Sequence, residues 1–298
     1  MSNVKISVCQ LELRDTLSFG EMEDRLADIC RRAIKQGPDI IMFPEFTALG
    51  LLAMAGPDLK YSDMGRAMRD TVSAFTPNYQ GLFRELSKES GCVIHGGSHW
   101  IYEEDAGTAY NVACLFFPDG RMEIQKKNHL FPGEIDWGTS TYDRLTPFDT
   151  PKVNVGLMTC YDAEFPEVAR HFLLEGADLL MCPSATYTIR GYYRIRRCCA
   201  ARAVENQVYV AEGHQVGALS VPVDRPFTAY GFSAVLCPID EQTGVASGVL
   251  AEAPTAEHET VLTAEMDMDA LARSRKSSEA TILKDRRPDT YSRYYKIL

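Results

Sequence analysis

The sequence predicts an α/β fold, and two observations support that prediction. Short apolar runs rich in β-branched residues alternate with segments of helical period along most of the chain. Three of the apolar runs are followed closely by a residue able to do chemistry: Glu45, Lys127 and Cys160. Strand ends in an α/β protein gather at one edge of the sheet, where ligands bind. We therefore expect these three side chains to share one site.

The first half of the chain opens with a strand over residues 4–13 and a helix over 19–36, which a Gly-Pro step ends. A second strand closes at Phe43, and a loop rich in Gly, Met and Asp follows to about Phe75. The pattern then predicts one helix and three strands, over 79–90 and over 93–102, 109–117 and 121–125.

The second half continues the alternation from the strand that leads to Cys160. The pattern predicts helices over 166–175 and 191–205 and strands over 178–181, 207–212, 229–236 and 259–266. Four arginines make the 191–205 helix basic, and we expect a solvated face paired with acids and not a nucleic-acid surface. From residue 274 onwards the chain is too polar to predict a core element of its own.

Length, charge and cysteine usage narrow the class of protein. The 298 residues can form one α/β domain with a sizeable core, and the net charge of −10 argues against nucleic acid as the main partner. No apolar run approaches the ~20 residues of a membrane span, and no signal peptide precedes the first strand. Nine dispersed cysteines suit a reducing compartment better than a disulfide framework. We therefore expect a cytoplasmic protein with a small-molecule partner.

Cys160 stands where an apolar strand gives way to a polar turn and a helical pattern. A thiol held there can attack a carbonyl or nitrile carbon if a neighbour takes its proton. A carboxylate and an amine beside it would be a suitable base and oxyanion stabiliser, which are the roles predicted for Glu45 and Lys127. The backbone N–H of Tyr161 is a second candidate oxyanion donor.

The motifs around these residues resemble the nitrilase superfamily of carbon–nitrogen hydrolases. They are Phe-Pro-Glu ending at Glu45, Lys-x-His-Leu-Phe starting at Lys127, and Cys-Tyr-Asp-x-x-Phe-Pro-Glu starting at Cys160, and the resemblance covers about residues 4–267. It implies a Glu–Lys–Cys triad and a second glutamate in the loop after the lysine, where Glu134 lies. We expect His129 to pack or hydrogen-bond behind Lys127.

The resemblance also implies the architecture, a four-layer αββα sandwich with two pseudo-related halves. Residues 1–270 would form the carbon–nitrogen hydrolase domain, and residues 271–298 a C-terminal tail that either packs on a neighbouring subunit or is loosely ordered. A helix corresponding to 191–205 packs across a dimer interface in relatives, which implies at least a homodimer.

The expected reaction is hydrolysis of a linear amide to an acid and ammonia or an amine, through a thioester on Cys160. Tyr-Asp after the cysteine resembles amidases more than true nitrilases. Three alternatives stay open: a nitrilase or N-carbamoyl amidohydrolase, a non-catalytic binding subunit of the same superfamily, and a thiol redox protein. The absence of a CxxC motif disfavours the last of these.

Substrate contacts are predicted at Tyr161, Glu164, Thr186 and Tyr187, with walls from residues 219–230 and 64–75. Many relatives that act on acids carry an arginine where this chain has Glu164. A carboxylate at this position would repel an acidic substrate and favour a neutral or cationic one, which argues against an N-carbamoyl amino acid or an ω-amide of a dicarboxylate. The alternative is that Glu164 points away from the site and pairs with a nearby arginine.

The sequence predicts neither a metal nor a cofactor. Six histidines are scattered, and no HxxxH or CxxC places two metal ligands on one face. Ser233 lacks the second glycine of a serine nucleophile elbow. The Gly96-Gly97 pair indicates a turn or a close backbone approach, since no phosphate-loop residues follow it.

Overall fold

The computed structural model describes residues 3–294 and contains a mixed sheet of thirteen strands flanked by helices. The strands are β1 Val4–Leu13, β2 Ile40–Met42, β3 Val93–Glu103, β4 Thr108–Phe116, β5 Met122–Lys126, β6 Phe148–Asp149, β7 Asn154–Leu157, β8 Leu179–Ser184, β9 Tyr209–Ala218, β10 Thr228–Ala229, β11 Ala234–Leu236, β12 Val249–Glu252 and β13 Thr260–Met266. The α-helices are α1 Phe19–Ile34, α2 Met64–Ala67, α3 Thr76–Ser90, α4 Pro132–Asp136, α5 Pro166–Leu174, α6 Ile189–Asn206, α7 Met268–Ser277 and α8 Pro288–Tyr294.

Strand β1 joins the two halves of the sheet. The strand order is β5-β4-β3-β2-β1-β9-β8-β7-β6, with β13 pairing on β1 as well. The first part of β1 lies parallel to β2 and antiparallel to β13, while its last residues, Leu11 to Leu13, lie parallel to β9. One half is therefore built on β1 to β5 and the other on β7 to β9.

Three separate apolar cores arrange these halves in four layers. The central core packs one sheet face on the other and brings Ile6 and Val8 of β1 together with Met181 of β8. A second core packs α1 and α3 on the outer face of the first half, and a third packs α5 and α6 on the outer face of the second. Both faces of the inner strands are thus covered, which explains their near-continuous apolar sequences. This αββα arrangement confirms the predicted fold class.

Most predicted elements appear within a few residues of their expected bounds. In α1 the stripe of Met22, Leu26 and Ile29 is fully buried, and the Ser18 hydroxyl caps the helix by accepting from the Glu21 N–H at 3.2 Å. Capping and a single apolar face are the local signals that make such a helix predictable.

Two segments differ from their predictions. The expected loop before Phe75 contains short helical turns, among them Leu49–Ala55 and Met68–Val72, which are too short to show a helical period. The expected strand over 229–236 is divided into β10 and β11. Between them Gly231 lies so close to the His214 ring that a Cβ would come within 2.5 Å of it. The sequence signals also missed the short elements β6, β12 and α4.

Helix α7 runs across the predicted domain boundary at residue 270. Met268, Leu271 and Ser274 on one of its faces are buried, and the Gln207 side chain donates to the Ser274 carbonyl at 2.8 Å. The packed unit therefore includes this helix, whose narrow apolar stripe is obscured in the sequence by charged neighbours. Of the predicted tail, residues 295–298 lie outside the described part of the chain, and its packing on a neighbouring subunit stays a prediction.

Two expectations from composition can be compared directly with the structure. All nine cysteines are free thiols, as predicted. Within residues 3–294, no helix combines the length and the apolar character that crossing a membrane requires.

Candidate active site

The three predicted strand-end residues line one cavity. Glu45 follows β2, Lys127 follows β5, and Cys160 follows β7 after a short turn, so the site draws on both halves of the sheet. The cavity encloses about 290 Å³, a size suited to a small molecule. Lys127, Glu45 and Cys160 are only 1%, 2% and 8% exposed, so the electrostatic interactions among these groups are little screened by solvent.

Cys160 occupies a sharp turn. Its φ of 48° lies in the left-handed region, which residues other than glycine rarely adopt, and it begins the 3₁₀ turn Cys160–Glu164. Such strain persists only where the surroundings enforce it, and it is typical of functional positions. The turn presents the thiol to the cavity at the end of a rigid strand.

Asp162 connects this turn to the segment that carries Lys127. Its carboxylate accepts the Thr159 N–H at 3.1 Å and, from the other segment, the His129 N–H at 2.8 Å and Nδ1 at 3.0 Å. The His129 ring stacks on Phe165 with 3.8 Å between the ring centroids. His129 therefore packs and hydrogen-bonds behind Lys127, as the sequence predicts.

Lys127 lies between two buried carboxylates. Its Nζ is 2.8 Å from Glu45 Oε1 and 2.5 Å from Glu134 Oε2. The second oxygen of Glu45 accepts the Ala185 N–H at 2.9 Å, and Glu134 Oε2 also accepts the Phe131 N–H at 2.9 Å. Because every carboxylate oxygen has a donor, the cluster is held in one geometry.

Sequence reasoning missed Asn111, a fully buried residue in the middle of β4. Its side-chain NH₂ donates to Glu45 Oε1 at 2.9 Å and to Glu134 Oε1 at 2.8 Å, and its backbone carbonyl accepts the Lys127 backbone N–H at 2.9 Å. It therefore contacts three of the four candidate catalytic residues. An amide inside a run of apolar strand residues was the available signal, since a buried polar residue is more informative than a buried apolar one.

The environment changes the pKa of each reacting group in a distinct way. Burial, reinforced by the negative charge of Glu45, raises the pKa of the Cys160 thiol well above its usual value. Burial also raises the pKa of Glu45, and Lys127 only partly offsets that effect. Burial lowers the pKa of Lys127, but the charges of Glu134 and Glu45 outweigh it and raise that pKa well above its usual range. At neutral pH the site thus holds the protonated Cys160 thiol and the Lys127 ammonium group beside Glu45, which is a stronger base than an ordinary glutamate.

The backbone around Glu45 depends on a glycine in the neighbouring strand. Phe46 has a φ of 53°, and its N–H donates to the Ser98 hydroxyl at 3.1 Å across a bulge in β3. Gly97 in that bulge has a φ of 79°, and a Cβ there would lie 1.9 Å from the Pro44 carbonyl oxygen. The Gly96-Gly97 pair is therefore a close backbone approach, one of the two predicted possibilities.

The four predicted substrate contacts, Tyr161, Glu164, Thr186 and Tyr187, all line the cavity. The Thr186 hydroxyl donates to the Tyr230 carbonyl at 2.5 Å, so it holds the 219–230 loop. Glu164 Oε1 is 2.6 Å from Arg194 Nε, so this carboxylate is paired with an arginine as one alternative expected, but it still lines the cavity and does not point away from it.

The Tyr187 hydroxyl is buried and has no hydrogen-bond partner within residues 3–294. Burial, followed by the charge of Glu45, raises the pKa of this tyrosine well above its usual value. The hydroxyl is therefore protonated and able to donate to a bound molecule.

Other cavity walls were predicted only in part. Arg225 and Phe227 line the cavity from the predicted segment 219–230, whereas none of the lining residues comes from 64–75. Tyr61 and Trp137 contribute instead, from positions that no motif marked. In the described part of the chain, no group of three or more His, Cys, Asp or Glu side chains is placed to hold a metal ion.

Comparison with known proteins identifies close resemblances over the whole chain. A sequence model of the family described as carbon–nitrogen hydrolase matches residues 5–276. A probable hydrolase of Bacillus subtilis, YhcX, is 34% identical over 98% of this chain, which spans about half (55%) of that protein. The mouse omega-amidase NIT2 is 32% identical, and the match covers 98% of both chains.

Solved structures give the same fold. A carbon–nitrogen hydrolase from Helicobacter pylori superimposes with a TM-score of 0.80 at 22% identity, over 99% of this chain and 98% of its own. Nit3 of Saccharomyces cerevisiae, of the nitrilase superfamily, gives a TM-score of 0.75 at 23% identity, over 95% and 97%. With the family match over most of the chain, these findings lead to one conclusion: the chain belongs to the carbon–nitrogen hydrolase family and is a hydrolase.

Proposed function

We propose that the protein hydrolyses a linear amide to an acid and ammonia or an amine, through a thioester on Cys160. The observation that carries the proposal is the buried cluster in which Glu45 is hydrogen-bonded to the Cys160 thiol and lies 2.8 Å from Lys127 Nζ. The similarity of the chain to the mouse omega-amidase NIT2 also favours an amide over a nitrile.

The first step is attack of the thiol on the amide carbon. Because the pKa of Cys160 is raised by burial, the thiol is protonated and must lose its proton as the S–C bond forms. Glu45, whose pKa burial also raises, accepts that proton. The carbonyl π electrons move onto oxygen, and the oxyanion is stabilised by the Lys127 ammonium and the Tyr161 backbone N–H.

The second step breaks the carbon–nitrogen bond. The oxyanion electrons re-form the carbonyl, Glu45 returns its proton to the departing nitrogen, and ammonia or an amine leaves. A water molecule then attacks the thioester while Glu45 takes its proton. Collapse of this second tetrahedral intermediate expels the Cys160 sulfur, which recovers the proton, and releases the acid.

Glu134 and Asn111 act as positioning residues in this scheme. Glu134 holds the Lys127 ammonium at 2.5 Å, so that one carboxylate remains on the lysine when Glu45 becomes protonated. Asn111 spaces the two glutamates by donating to both. A hydrolase of a nitrile or an N-carbamoyl group remains the alternative, since the same cluster would serve either reaction.

The test is ammonia release from a panel of simple amides, amino-acid amides, carbamoyl compounds and nitriles. We expect wild-type enzyme to act on amides, Cys160→Ser to lose that activity, and the control Cys198→Ser to retain it, since Cys198 lies outside the cavity. Intact-mass measurement after rapid quenching should detect an acyl adduct on wild type. Full activity in Cys160→Ala would contradict the mechanism, and carbon dioxide among the products would favour a carbamoyl substrate.

A further inference from the structure

The Tyr187 hydroxyl is a buried polar group of the cavity to which the proposed reaction gives no role. The Tyr187 ring is partly exposed and packs on Phe227 with 4.7 Å between the ring centroids. The hydroxyl at its tip is buried and has no hydrogen-bond partner within residues 3–294. A buried polar group without a partner is unfavourable, so a bound molecule is expected to supply one.

The segment that leads into Tyr187 is fixed to the base of the proposed reaction. The Ala185 N–H donates to Glu45 Oε2 at 2.9 Å, and the Thr186 hydroxyl donates to the Tyr230 carbonyl at 2.5 Å. These two hydrogen bonds anchor the chain on both sides just before Tyr187. The tyrosine is therefore held in a set position relative to Glu45.

The hydroxyl lies beside the reacting groups. Apart from burial, the groups that act most on it are the four candidate catalytic residues, Glu45, Glu134, Cys160 and Lys127. All four line the same cavity as Tyr187. Burial and the carboxylates of Glu45 and Glu134 raise the pKa of Tyr187 well above its usual value, so the hydroxyl keeps its proton and can donate it in a hydrogen bond.

The oxyanion of the proposed reaction has room for a further donor. The Lys127 ammonium has three N–H bonds, and it donates two of them to Glu45 and Glu134, which leaves one for the oxyanion. The Tyr161 backbone N–H supplies another. An oxyanion carries three lone pairs, so a third donor can be accommodated.

A simple amide offers one acceptor to a donor placed among these groups. Its nitrogen donates N–H bonds and does not accept, because its lone pair is delocalised into the carbonyl. Its carbonyl oxygen accepts, and negative charge develops there as Cys160 Sγ attacks. The acceptor that the Tyr187 hydroxyl lacks in the free protein is therefore the oxygen of the reacting carbonyl.

We infer that Tyr187 is a further catalytic residue, whose hydroxyl donates to the carbonyl oxygen and stabilises the oxyanion together with Lys127 and the Tyr161 N–H. The inference rests on the proposed amide hydrolysis. It moves Tyr187 from a general substrate contact, as the sequence predicts, to a role in the chemical step.

The kinetic test is Tyr187→Phe, which removes the hydroxyl and keeps the ring that packs on Phe227. The substrates are propanamide and butanamide, whose acyl chains hold no other hydrogen-bond acceptor. We expect kcat to fall roughly 10²- to 10³-fold with little change in KM, because the donor acts mainly on charge that develops in the transition state. Tyr209→Phe is the matched control and should keep the wild-type kcat, since the Tyr209 hydroxyl donates to the Asp267 carbonyl at 3.0 Å outside the cavity.

Binding of propanal tests the same donor without turnover. Cys160 Sγ adds to the aldehyde carbon, the π electrons move onto oxygen, and Glu45 takes the thiol proton, which gives a reversible tetrahedral adduct. Carbon-13 NMR of propanal labelled at the carbonyl detects this adduct. We expect it with wild type and Tyr209→Phe, roughly 10²-fold weaker with Tyr187→Phe, and not at all with Cys160→Ala.

The outcomes separate this inference from the proposed reaction. Wild type that hydrolyses amides while Tyr187→Phe keeps its kcat and its affinity for propanal would overturn the role of Tyr187 and leave the reaction standing. A loss seen only in KM, and only for methoxyacetamide, in which an ether oxygen replaces a methylene of butanamide, would also overturn it, because the hydroxyl would then bind the acyl chain. A propanal adduct weakened by Tyr187→Phe, in a protein that hydrolyses no amide, would support the donor and contradict the reaction.

Discussion

At the scale of single residues, burial decides how the candidate nucleophile works. Many reactive cysteines have a lowered pKa and attack as preformed thiolates. Here burial and the nearby Glu45 carboxylate raise the pKa of Cys160, so the proton must leave during the attack. The reactivity of the thiol then depends on the protonation state of Glu45 and not on its own ionisation.

The dependence of kcat/KM on pH tests this coupling. The pKa of Glu45 is raised above its usual value of 4.5, so activity should fall on acidification at a pH above 4.5, as the carboxylate becomes protonated. Because the pKa of the thiol is raised well above 9.0, activity should not increase when the pH passes the usual range of thiol ionisation.

The variant that tests the role of Glu45 in this pH dependence is Glu45→Gln, which keeps the size of the side chain and removes the base. It should lower kcat roughly 10²- to 10⁴-fold and abolish the acidic limb of the pH profile. An activity that rises with thiol ionisation near pH 8.5 to 9 would indicate a preformed thiolate instead.

Asn111 offers a second prediction at this scale. Asn111→Leu keeps the approximate volume and removes the donor shared by Glu45 and Glu134, so two buried carboxylates lose a partner. We expect a loss of about 1–3 kcal/mol in the free energy of unfolding, measured with urea, together with a fall in kcat. Asn206→Leu is the control, because Asn206 is equally buried but bonds the Arg202 carbonyl outside the cavity, and it should reduce stability without reducing kcat.

At the scale of elements, the bulge in β3 positions Glu45. Gly97→Ala would place a Cβ 1.9 Å from the Pro44 carbonyl oxygen at a φ of 79°, and only a backbone shift next to Glu45 can relieve that overlap. We expect a large fall in kcat and a lower melting temperature. Gly107→Ala, at a similar φ of 62° but with open space around it, should change stability by about 1 kcal/mol and leave kcat unaffected. Equal effects of the two substitutions would show that conformational strain, and not the close approach, is what matters.

Sequence patterns predicted long periodic elements well and short or irregular ones poorly. The α1 stripe and the ten-residue β1 have clear periods and clear ends, and the structure contains them as expected. The turns before Phe75 and the split at Gly231 depend on tertiary contacts that no local period encodes.

The same limit applies to the candidate site. Motifs at strand ends predicted where Glu45, Lys127 and Cys160 meet, because strand ends converge in this kind of fold. No local signature marks Asn111, Trp137 or Arg225. The contacts of Asn111 with the two glutamates, and the positions of Trp137 and Arg225 in the cavity wall, follow only from the folded structure.

At the scale of the whole molecule, the outer face of the second half is a candidate interface. Leu174 of α5 and Ile189 and Tyr193 of α6 are exposed although apolar or aromatic. Three arginines of α6 pair with acids within the chain: Arg194 with Glu164, Arg196 with Glu212 and Glu252, and Arg202 with Glu205. The predicted pairing is therefore found for these three, although Arg196 and Arg202 are largely buried and not solvated. Exposed apolar residues grouped on one face often mark protein–protein contacts.

The homodimer predicted from the family resemblance can be tested on this face. Light scattering should give twice the mass of one chain, or a higher multiple. Tyr193→Glu should shift the protein toward monomer, since it places a charge on the proposed contact. Lys35→Glu, at the exposed C-terminus of α1 in the first half, serves as a charge control on a different helix. A wild-type protein that elutes as a monomer at all concentrations would contradict the prediction.

The position of β1 has a consequence for how the protein is made. This strand is synthesised long before its partners β9 and β13, which end at residues 218 and 266. On the ribosome β1 cannot complete its pairing until β9 and β13 have emerged, and pairings of such long sequence separation form slowly. During that interval Glu45 and Lys127 would not be assembled beside Cys160, because they come from the other half of the sheet. The complete site would therefore form only after β13 has emerged.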